Sequence, residues 1–334
     1  MTPALSLSTQ PDVSIVIVSF NTRSVLRECL ESIELESTGL QVEVSIVDNH
    51  SSDGSPEMIE RDFPYVRLIR SEVNLGFGSA NNAALEGCRG RYIVLLNSDA
   101  FLCPNSLRLA VQHMDANPKA GLGGGRLVGR DYSWQPSARM FPSILSDLTV
   151  MTGLAARYPK SKFLGYFDRT WADQSLASEV DWVPGAFSIV RAEVLDRVGF
   201  FDPAFFLYCE EVDLCRRIKA AGYQIWYWPD IKIIHIGGES SRQVKSLEMS
   251  SAGSQLVLWR MRSTLLYYRK HHAAKAWFAR MTEIVLYHLT ALRNSFSKDP
   301  RRVARAREYR NMASLMQRAW RETNGGRVSP PRPW

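Results

Sequence analysis

The chain has 334 residues, of which 45% are apolar, and carries a formal net charge of +7. This length suits one large α/β domain with an appendage and is too short for two full domains of ordinary size. No uncharged apolar run is long enough to span a bilayer; residues 1–11 lack the pattern of a signal peptide and are predicted to be disordered. The five cysteines are scattered without a Cys-x-x-Cys pair, which argues against a disulfide framework or zinc site and indicates reduced thiols in a cytoplasmic protein.

Two apolar strands are predicted near the start of the chain, and each ends in polar residues. The first ends at Ser19 and Asn21, and the second, over residues 42–47, ends at Asp48. Continuous runs of Val and Ile are typical of parallel strands that are covered on both faces. No Gly-x-Gly-x-x-Gly follows the first strand, which argues against a dinucleotide-dependent oxidoreductase. The pattern therefore predicts an α/β sheet without a dinucleotide-binding loop.

Two helix starts follow these strands. Ser55 is predicted to be the N-cap of the first helix. The second begins at the segment that runs from Asn74 through Gly76 to Gly78. Glycines permit close approach to a ligand, and a helix start offers free amides to a phosphate or sugar oxygen. This segment is therefore a candidate binding loop.

A buried apolar strand that ends at Leu96 is followed by Asn97, Ser98 and Asp99. Ligands of an open α/β sheet sit beyond the carboxyl ends of its strands. One carboxylate with a nearby amide suits a hard divalent cation that keeps several waters and is completed by substrate phosphates. His235, at the end of a later predicted strand, is a second candidate ligand for the same metal.

Three carboxylates mark the start of another predicted helix. Glu210, Glu211 and Asp213 follow an apolar run, and Gly222 ends the helix. Acidic side chains are favourable in the first turn of a helix, because its free N–H groups and dipole stabilise negative charge. Such a helix start holds a carboxylate fixed at the rim of a pocket, as a general base must be held.

The order of these motifs resembles the large family-2 inverting glycosyltransferases, and most of all their bacterial rhamnosyltransferase-like branch. The resemblance covers roughly the first three quarters of the chain. The segments that carry it are residues 13–21, 47–55, 74–78, 96–99, 185–187, 210–214 and 235–238.

The resemblance implies a GT-A fold, in which helices flank a mostly parallel, Rossmann-like central sheet. It places a catalytic domain at residues 12–241, with a nucleotide-sugar half over about 12–126 and an acceptor half over about 127–241. Trp182 and Gly185 match the acceptor-side loop of the family.

The resemblance also implies the substrates. A nucleoside-diphosphate sugar would be bound with Mg²⁺ or Mn²⁺, which Asp99 and His235 would hold, and Asp48 would read the pyrimidine or its ribose. L-rhamnose from dTDP-L-rhamnose is the favoured donor; UDP-galactofuranose, UDP-N-acetylglucosamine or another hexose donor is the alternative. The acceptor would be a glycan or a polyprenyl-diphosphate-linked saccharide. The donor-binding positions implied are Ser19, Asn21, Asp48, Asn74, Gly76, Asn97, Ser98 and Asp99.

The base implied by the resemblance is the second acid of the pair, Glu211. The family usually has Asp there, and the extra methylene leaves Glu210 as the alternative base. Asp213 is expected to orient the site. Intact Asp99, Glu211 and His235 argue against the remaining alternative, a catalytically inactive, membrane-associated sugar-binding protein that keeps the fold.

The last 93 residues differ in charge from the rest of the chain. Residues 242–334 contain 19 Lys and Arg against 5 Asp and Glu, so the basic charge belongs to this segment. A basic helical region is predicted over 242–322 and a Pro-rich tail over 323–334. Apolar side chains beside basic ones favour attachment to anionic lipid at the inner face of the cell membrane. A packed bundle or an interface between copies of the chain is the alternative, and no nucleic-acid module is recognised, so no nucleic-acid partner is expected.

Overall fold

The computed structural model describes residues 10–237 and 251–330. Most of the predicted disordered N-terminus, the predicted boundary at 241–242 and the last four residues of the tail lie outside this part of the chain. Ten strands and eleven helices are described. The strands are β1 (Val13–Ser19), β2 (Val42–Asp48), β3 (Arg67–Arg70), β4 (Tyr92–Leu96), β5 (Ala100–Leu102), β6 (Ala120–Val128), β7 (Trp134–Gln135), β8 (Ser178–Val180), β9 (Phe187–Arg191) and β10 (Gln224–His235). The helices are α1 (Arg23–Glu36), α2 (Ser55–Asp62), α3 (Phe77–Leu85), α4 (Ser106–Ala116), α5 (Ile144–Met151), α6 (Leu154–Arg157), α7 (Ala192–Val198), α8 (Glu210–Ala220), α9 (Ser251–His272), α10 (Lys275–Ser295) and α11 (Pro300–Glu322).

All ten strands form one sheet in the order β3-β2-β1-β4-β9-β6-β10-β5, with β7 beside β6 and β8 beside β10. The first four strands of this order are parallel, as predicted, whereas β9 runs antiparallel to both of its neighbours. The sheet is therefore parallel in its first half and mixed beyond it. The predicted boundary between the two halves, at residues 126 and 127, lies within β6.

Helices cover both faces of the sheet, because β1 alternates its side chains between two apolar cores. Ile15 and Ile17 pack with α1, α2 and α4, whereas Val16 lies in the core that contains α3 and α8. A strand covered on both faces has no polar side, which explains its unbroken run of Val and Ile.

Two local predictions were wrong. The N-cap of α2 is Gly54, with φ of +79°, and Ser55 is the first helical residue, whose backbone N–H donates to Asp53 at 3.0 Å. The sequence also indicates two separate strands over 224–229 and 231–235, but residues 224–235 form the single strand β10. Its pairing with β6 shifts register between Trp228 and Lys232, around Pro229, because proline has no N–H for the ladder.

The C-terminal helices form a bundle that packs on the sheet and its helices. Tyr267 and Tyr268 of α9 are buried in the same core as α3 and α8. Helices α9, α10 and α11 also share a small core of their own, which includes Leu265, Tyr287 and Met316. Within the described residues, none of the helices is both long and apolar enough to span a bilayer.

Candidate active site

The carboxyl ends of β1 and β2 form the first part of the site. Ser19 and Asp48 are register partners in the parallel ladder, so both lie at the same edge of the sheet. The Asp48 carboxylate accepts a hydrogen bond from the N–H of Ser51 at 2.9 Å. Its other oxygen is buried and has no partner within the described chain. Burial raises the pKa of Asp48, against the opposing effect of the Ser51 bonds. The second oxygen is thus placed to accept from a ring N–H or a hydroxyl.

Two of the predicted donor-binding amides hold loops in shape. The Asn21 side-chain oxygen accepts from the N–H of Ser52 at 2.8 Å. The Asn74 side-chain oxygen accepts from Asn49 Nδ2 and from the N–H of Gly76, both at 2.9 Å. These oxygens join the loop after β2 to the loops on either side of it. A direct contact between either amide and a donor stays a prediction.

Gly76 explains why the loop before α3 needs glycine. Its φ is +80°, and a Cβ atom there would lie 2.3 Å from the carbonyl oxygen of Phe206. The N–H of Phe77 donates to that same oxygen at 2.8 Å. The close approach is therefore to the protein's own backbone, just before α8, and a contact of Gly76 with a ligand stays a prediction. This contact docks the start of α3 against the acidic helix.

The predicted metal ligands come together at the end of β4. Pairing of β5 with β10 sets His235 opposite Ala100, and His235 Nε2 then lies 3.5 Å from Asp99 Oδ1. Asn97 Nδ2 is also 3.5 Å from that nitrogen, and Ser98 is buried in the same turn. Strand pairing thus unites two residues that are far apart in the sequence.

The donor set suits a cation that is completed by its substrate. Within residues 10–237 and 251–330, no three His, Cys, Asp or Glu side chains are grouped to hold a metal. Asp99 and His235 are therefore a pair of candidate ligands, and their role as metal ligands stays a prediction. A hard divalent cation that binds through one or two carboxylates plus substrate phosphates fits such a pair.

The acidic pair begins α8 after two strained residues. Tyr208 and Cys209 have φ of +72° and +69°, in the left-handed region where side chains other than glycine are uncommon. Such residues cost on the order of 1–3 kcal/mol each and cluster at functional sites. They form the turn that immediately precedes Glu210 and Glu211, the first two residues of α8.

Both glutamates keep a buried carboxylate oxygen that has no partner among the described residues. The side chain of Glu210 is only 2% exposed. Glu211 Oε1 lies 3.5 Å from the N–H of Gly185. Burial raises the pKa of Glu211, and burial together with the charge of Glu211 raises the pKa of Glu210 well above its usual range. A carboxylate in this environment is more basic than an exposed one.

The loop before β9 connects this acidic pair with the metal side. A Cβ atom on Gly185 would lie 3.7 Å from Glu211 Oε1 and 3.3 Å from the Phe77 ring. The next residue, Ala186, accepts a hydrogen bond from the N–H of Asn97 at 3.1 Å. Gly185 thus lies beside Glu211, the candidate base, and Ala186 is bonded to Asn97, which begins the turn that contains Asp99.

Trp182 lies behind this loop and is only 6% exposed. Its Nε1 donates to the carbonyl of Met140 at 2.9 Å, and the guanidinium of Arg139 lies 5.1 Å from its ring centre. Only a small edge of the ring is open to an acceptor. The contact of Trp182 with acceptor stays a prediction.

Asp213 lies in a different environment from the glutamates. Its side chain is fully buried and accepts from Arg217 Nε at 2.8 Å, while His271 Nε2 and Lys270 Nζ each lie 2.7 Å from it. Burial by itself would raise the pKa of Asp213, but the bonds from His271, Lys270 and Arg217 outweigh burial and lower it to about 2. His271 and Lys270 belong to α9, which sequence reasoning had placed in a separate region. No local signal links them to α8.

Comparison with known proteins identifies relatives of this chain. The family model described as "Glycosyl transferase family 2" matches residues 14–199. The N-acetylglucosaminyl-diphospho-decaprenol L-rhamnosyltransferase of Mycobacterium tuberculosis is 29% identical over 232 residues, covering 66% of this chain and 75% of that protein. Rhamnosyltransferase WbbL of Escherichia coli is 27% identical over 267 residues, covering 76% of this chain and 92% of its own.

A solved structure confirms the predicted GT-A fold. The mannosyltransferase PcManGT from Pyrobaculum calidifontis, in complex with GDP-Man and Mn²⁺, superposes with a TM-score of 0.56 and 16% identity. The match covers 95% of this chain and 88% of that one. At this identity the likeness concerns the fold alone.

Proposed function

This chain belongs to glycosyl transferase family 2, and we propose that it is an inverting rhamnosyltransferase that moves L-rhamnose from dTDP-L-rhamnose to an acceptor hydroxyl. The observation that carries the chemistry is the loop at Gly185 and Ala186, which contacts both Glu211 and Asn97. The choice of rhamnose rests on two relatives named as rhamnosyltransferases. UDP-galactofuranose and UDP-N-acetylglucosamine are the alternative donors.

Glu211 is proposed as the general base. The acceptor hydroxyl is a weak nucleophile, so a base must take its proton as the bond to the anomeric carbon forms. Glu211 has one oxygen without a partner in the described chain and a raised pKa, which together favour proton uptake. Glu210 is more deeply buried and is the alternative base.

Asp48 is proposed to recognise the pyrimidine or ribose of the donor, with Ser19 and Ser98 lining the same edge of the sheet. Asn21, Asn74 and Gly76 would support these loops. Asp99 and His235 would hold Mg²⁺ or Mn²⁺, with Asn97 beside them. A bound cation of this kind supplies positive charge that stabilises the departing nucleoside diphosphate.

The acceptor is proposed to be a saccharide linked to a polyprenyl diphosphate, as in cell-surface polysaccharide synthesis. This class of acceptor is suggested by the name of the mycobacterial relative. Trp182 and Gly185 would border its binding site. A lipid-linked acceptor places the enzyme at the inner face of the cell membrane.

The test is a panel of sugar nucleotides on the purified full chain. We expect dTDP-L-rhamnose to raise the unfolding temperature more than UDP-N-acetylglucosamine, UDP-galactofuranose or GDP-mannose, because ligand binding stabilises the folded state by mass action. Release of dTDP should require both a polyprenyl-diphosphate saccharide and Mg²⁺ or Mn²⁺. Stronger stabilisation by a different sugar nucleotide would make that sugar, and not rhamnose, the proposed donor sugar. Full turnover in excess chelator would contradict the proposed need for a metal.

Membrane attachment is proposed for the face of α10 that points away from the bundle. Ile284, Tyr287 and Ala291 are buried in the bundle. Apolar side chains on a second face are between 47% and 82% exposed, and their spacing of seven, four, three and four residues keeps them in one stripe. They are Phe278, Val285, Leu289, Leu292 and Phe296. The bundle and the membrane surface, which the sequence left as alternatives, can therefore use different faces.

Binding to phosphatidylglycerol vesicles tests this surface. Wild type should bind at low salt and dissociate as salt rises, because basic residues near an anionic surface contribute about 1 kcal/mol each. Leu289→Ser with Leu292→Ser should weaken binding, and Leu35→Ser, at a 77% exposed position of α1, is the matched control. Truncation of the chain after Ser251 would not test this surface alone, since it also removes Tyr267 and Tyr268 from the core. If wild type does not bind these vesicles at low salt, the proposal of membrane attachment is wrong. The stripe is then better explained as an interface between copies of the chain.

A further inference from the structure

Gln135 holds His235 at two points. This residue ends the short strand β7, and β7 pairs with β6 through Leu127 and Val128. Gln135 Oε1 lies 2.9 Å from His235 Nδ1. Gln135 Nε2 donates to the backbone carbonyl of His235 at 2.8 Å. One amide therefore contacts both the ring and the backbone of the same residue.

This pair of contacts defines which ring nitrogen carries the proton. An amide oxygen only accepts hydrogen bonds, so His235 Nδ1 must donate to Gln135 Oε1. The reverse orientation of the amide would set its oxygen against the His235 carbonyl oxygen, where neither atom donates. The neutral ring is therefore the Nδ1–H tautomer, and the Nε2 electron pair, 3.5 Å from Asn97 Nδ2, is left as an acceptor.

That electron pair faces the metal side of the site. His235 Nε2 lies 3.5 Å from Asp99 Oδ1, and the nitrogen without a proton cannot donate to this carboxylate. Two electron-rich atoms at this distance repel each other unless a cation lies near both or the ring takes up a second proton. Histidines that bind metals usually donate their other ring N–H to a fixed acceptor, which sets the tautomer and the ring orientation.

We propose that Gln135 is a positioning residue that holds His235 as the Nδ1–H tautomer, so that Nε2 is presented beside Asp99 to a divalent cation. The cation itself rests on the function proposed above. Gln135 lies outside every motif that pointed to the family, and it reaches His235 only because β7 folds back along β6.

The test compares two replacements of Gln135. Gln135→Leu removes both hydrogen bonds. Gln135→Glu keeps an acceptor for Nδ1–H and loses the donor to the His235 carbonyl. Gln174→Leu is the matched control, because Gln174 Nε2 also donates to backbone carbonyls, those of Arg169 and Ala172, away from this site.

The first readout is the tautomer itself, from long-range ¹H–¹⁵N spectra of metal-free protein at pH 8, with His235→Gln used to assign the signals. Wild type, Gln174→Leu and Gln135→Glu should show the Nδ1–H form of His235, and Gln135→Leu should lose it. The second readout is Mn²⁺ affinity in the presence of dTDP, measured by electron paramagnetic resonance. Gln135→Leu should bind Mn²⁺ about 10–100-fold more weakly, the usual effect of losing such a partner, and Gln135→Glu should lose less.

The outcomes separate this proposal from the proposed function. An Nε2–H tautomer in wild type, or an unchanged tautomer and Mn²⁺ affinity in Gln135→Leu, overturns the role of Gln135 and leaves the metal assignment standing. Wild type that shows the Nδ1–H tautomer and binds no Mn²⁺ overturns the metal assignment, and with it the purpose of the positioning. Equal losses of Mn²⁺ affinity in Gln135→Leu and Gln174→Leu would mean a general structural effect and also overturn the proposal.

Discussion

The first turn of α8 places carboxylates in two opposite electrostatic environments. Glu210 and Glu211 each keep a buried oxygen without a partner among the described residues, and the pKa of each is raised. Asp213, in the same turn, is bound by Arg217, His271 and Lys270, and its pKa is lowered to about 2.

This difference distinguishes carboxylates that are suited to take up a proton from a carboxylate that holds two helices together. A general base must be able to take a proton near neutral pH, and for Glu211 burial raises the pKa more than the charge of Arg139 lowers it. An anchor must stay charged, so it is surrounded by cations. Asp213 therefore joins α8 to α9, and the two glutamates stay the predicted candidates for the general base.

The largest expected effect comes from Glu211→Gln. This change keeps the size of the side chain and removes its basicity, so turnover should fall by about 10²–10⁴. Stabilisation by dTDP should survive, because the donor side at Asp48 and Asp99 is untouched. The measurement is dTDP release beside thermal unfolding with and without dTDP. Near wild-type turnover in Glu211→Gln, with an inactive Glu210→Gln, would transfer the role of base to Glu210.

A smaller effect is expected from Asp213→Asn, and it is an effect on stability. Removing one partner of a buried ion pair leaves the other charges uncompensated and costs about 3 kcal/mol. Urea unfolding at pH 7.5 measures it. Glu210→Gln is the control at the same helix turn and should lower the free energy of unfolding by much less, because no basic side chain of the described residues pairs with Glu210. Equal losses in both variants would contradict the distinction between base and anchor.

The smallest expected effect is a difference in pH dependence. The folded pKa of Asp213 lies below its unfolded value, so its stabilisation is present above about pH 4 and is lost as pH falls toward 2. The folded pKa values of Glu210 and Glu211 lie above their unfolded values. The folded state therefore binds more protons there, and stability falls as pH rises above about 4.3.

Urea midpoints from pH 3 to pH 8 check these signs. The midpoint of wild type relative to Asp213→Asn should shrink on the acid side, and relative to Glu210→Gln it should shrink on the basic side. Turnover should likewise show an acid limb above the ordinary glutamate range, which Glu211→Gln removes. Identical pH profiles in the two variants would show that the two environments are alike.

The amino-acid sequence by itself determined the parts that depend on local pattern. The run of Val and Ile in β1 indicated a strand covered on both faces, and the polar residues at the ends of β1 and β2 indicated a ligand edge. The start of α8 was predicted from its acidic residues, because helix N-termini favour negative charge. The pairing of Asp99 with His235 was also anticipated, because the order of motifs resembled a known family.

Only the tertiary structure decided which of these residues hold distant segments of the chain together. Gly76 approaches the backbone of Phe206, Gln135 sets the His235 ring, and Asp213 is bound from α9. Each of these contacts joins segments that lie far apart in the chain. Propensity and periodicity describe one segment at a time, so such contacts have no local signal; they arise when strand pairing and core packing bring the segments together.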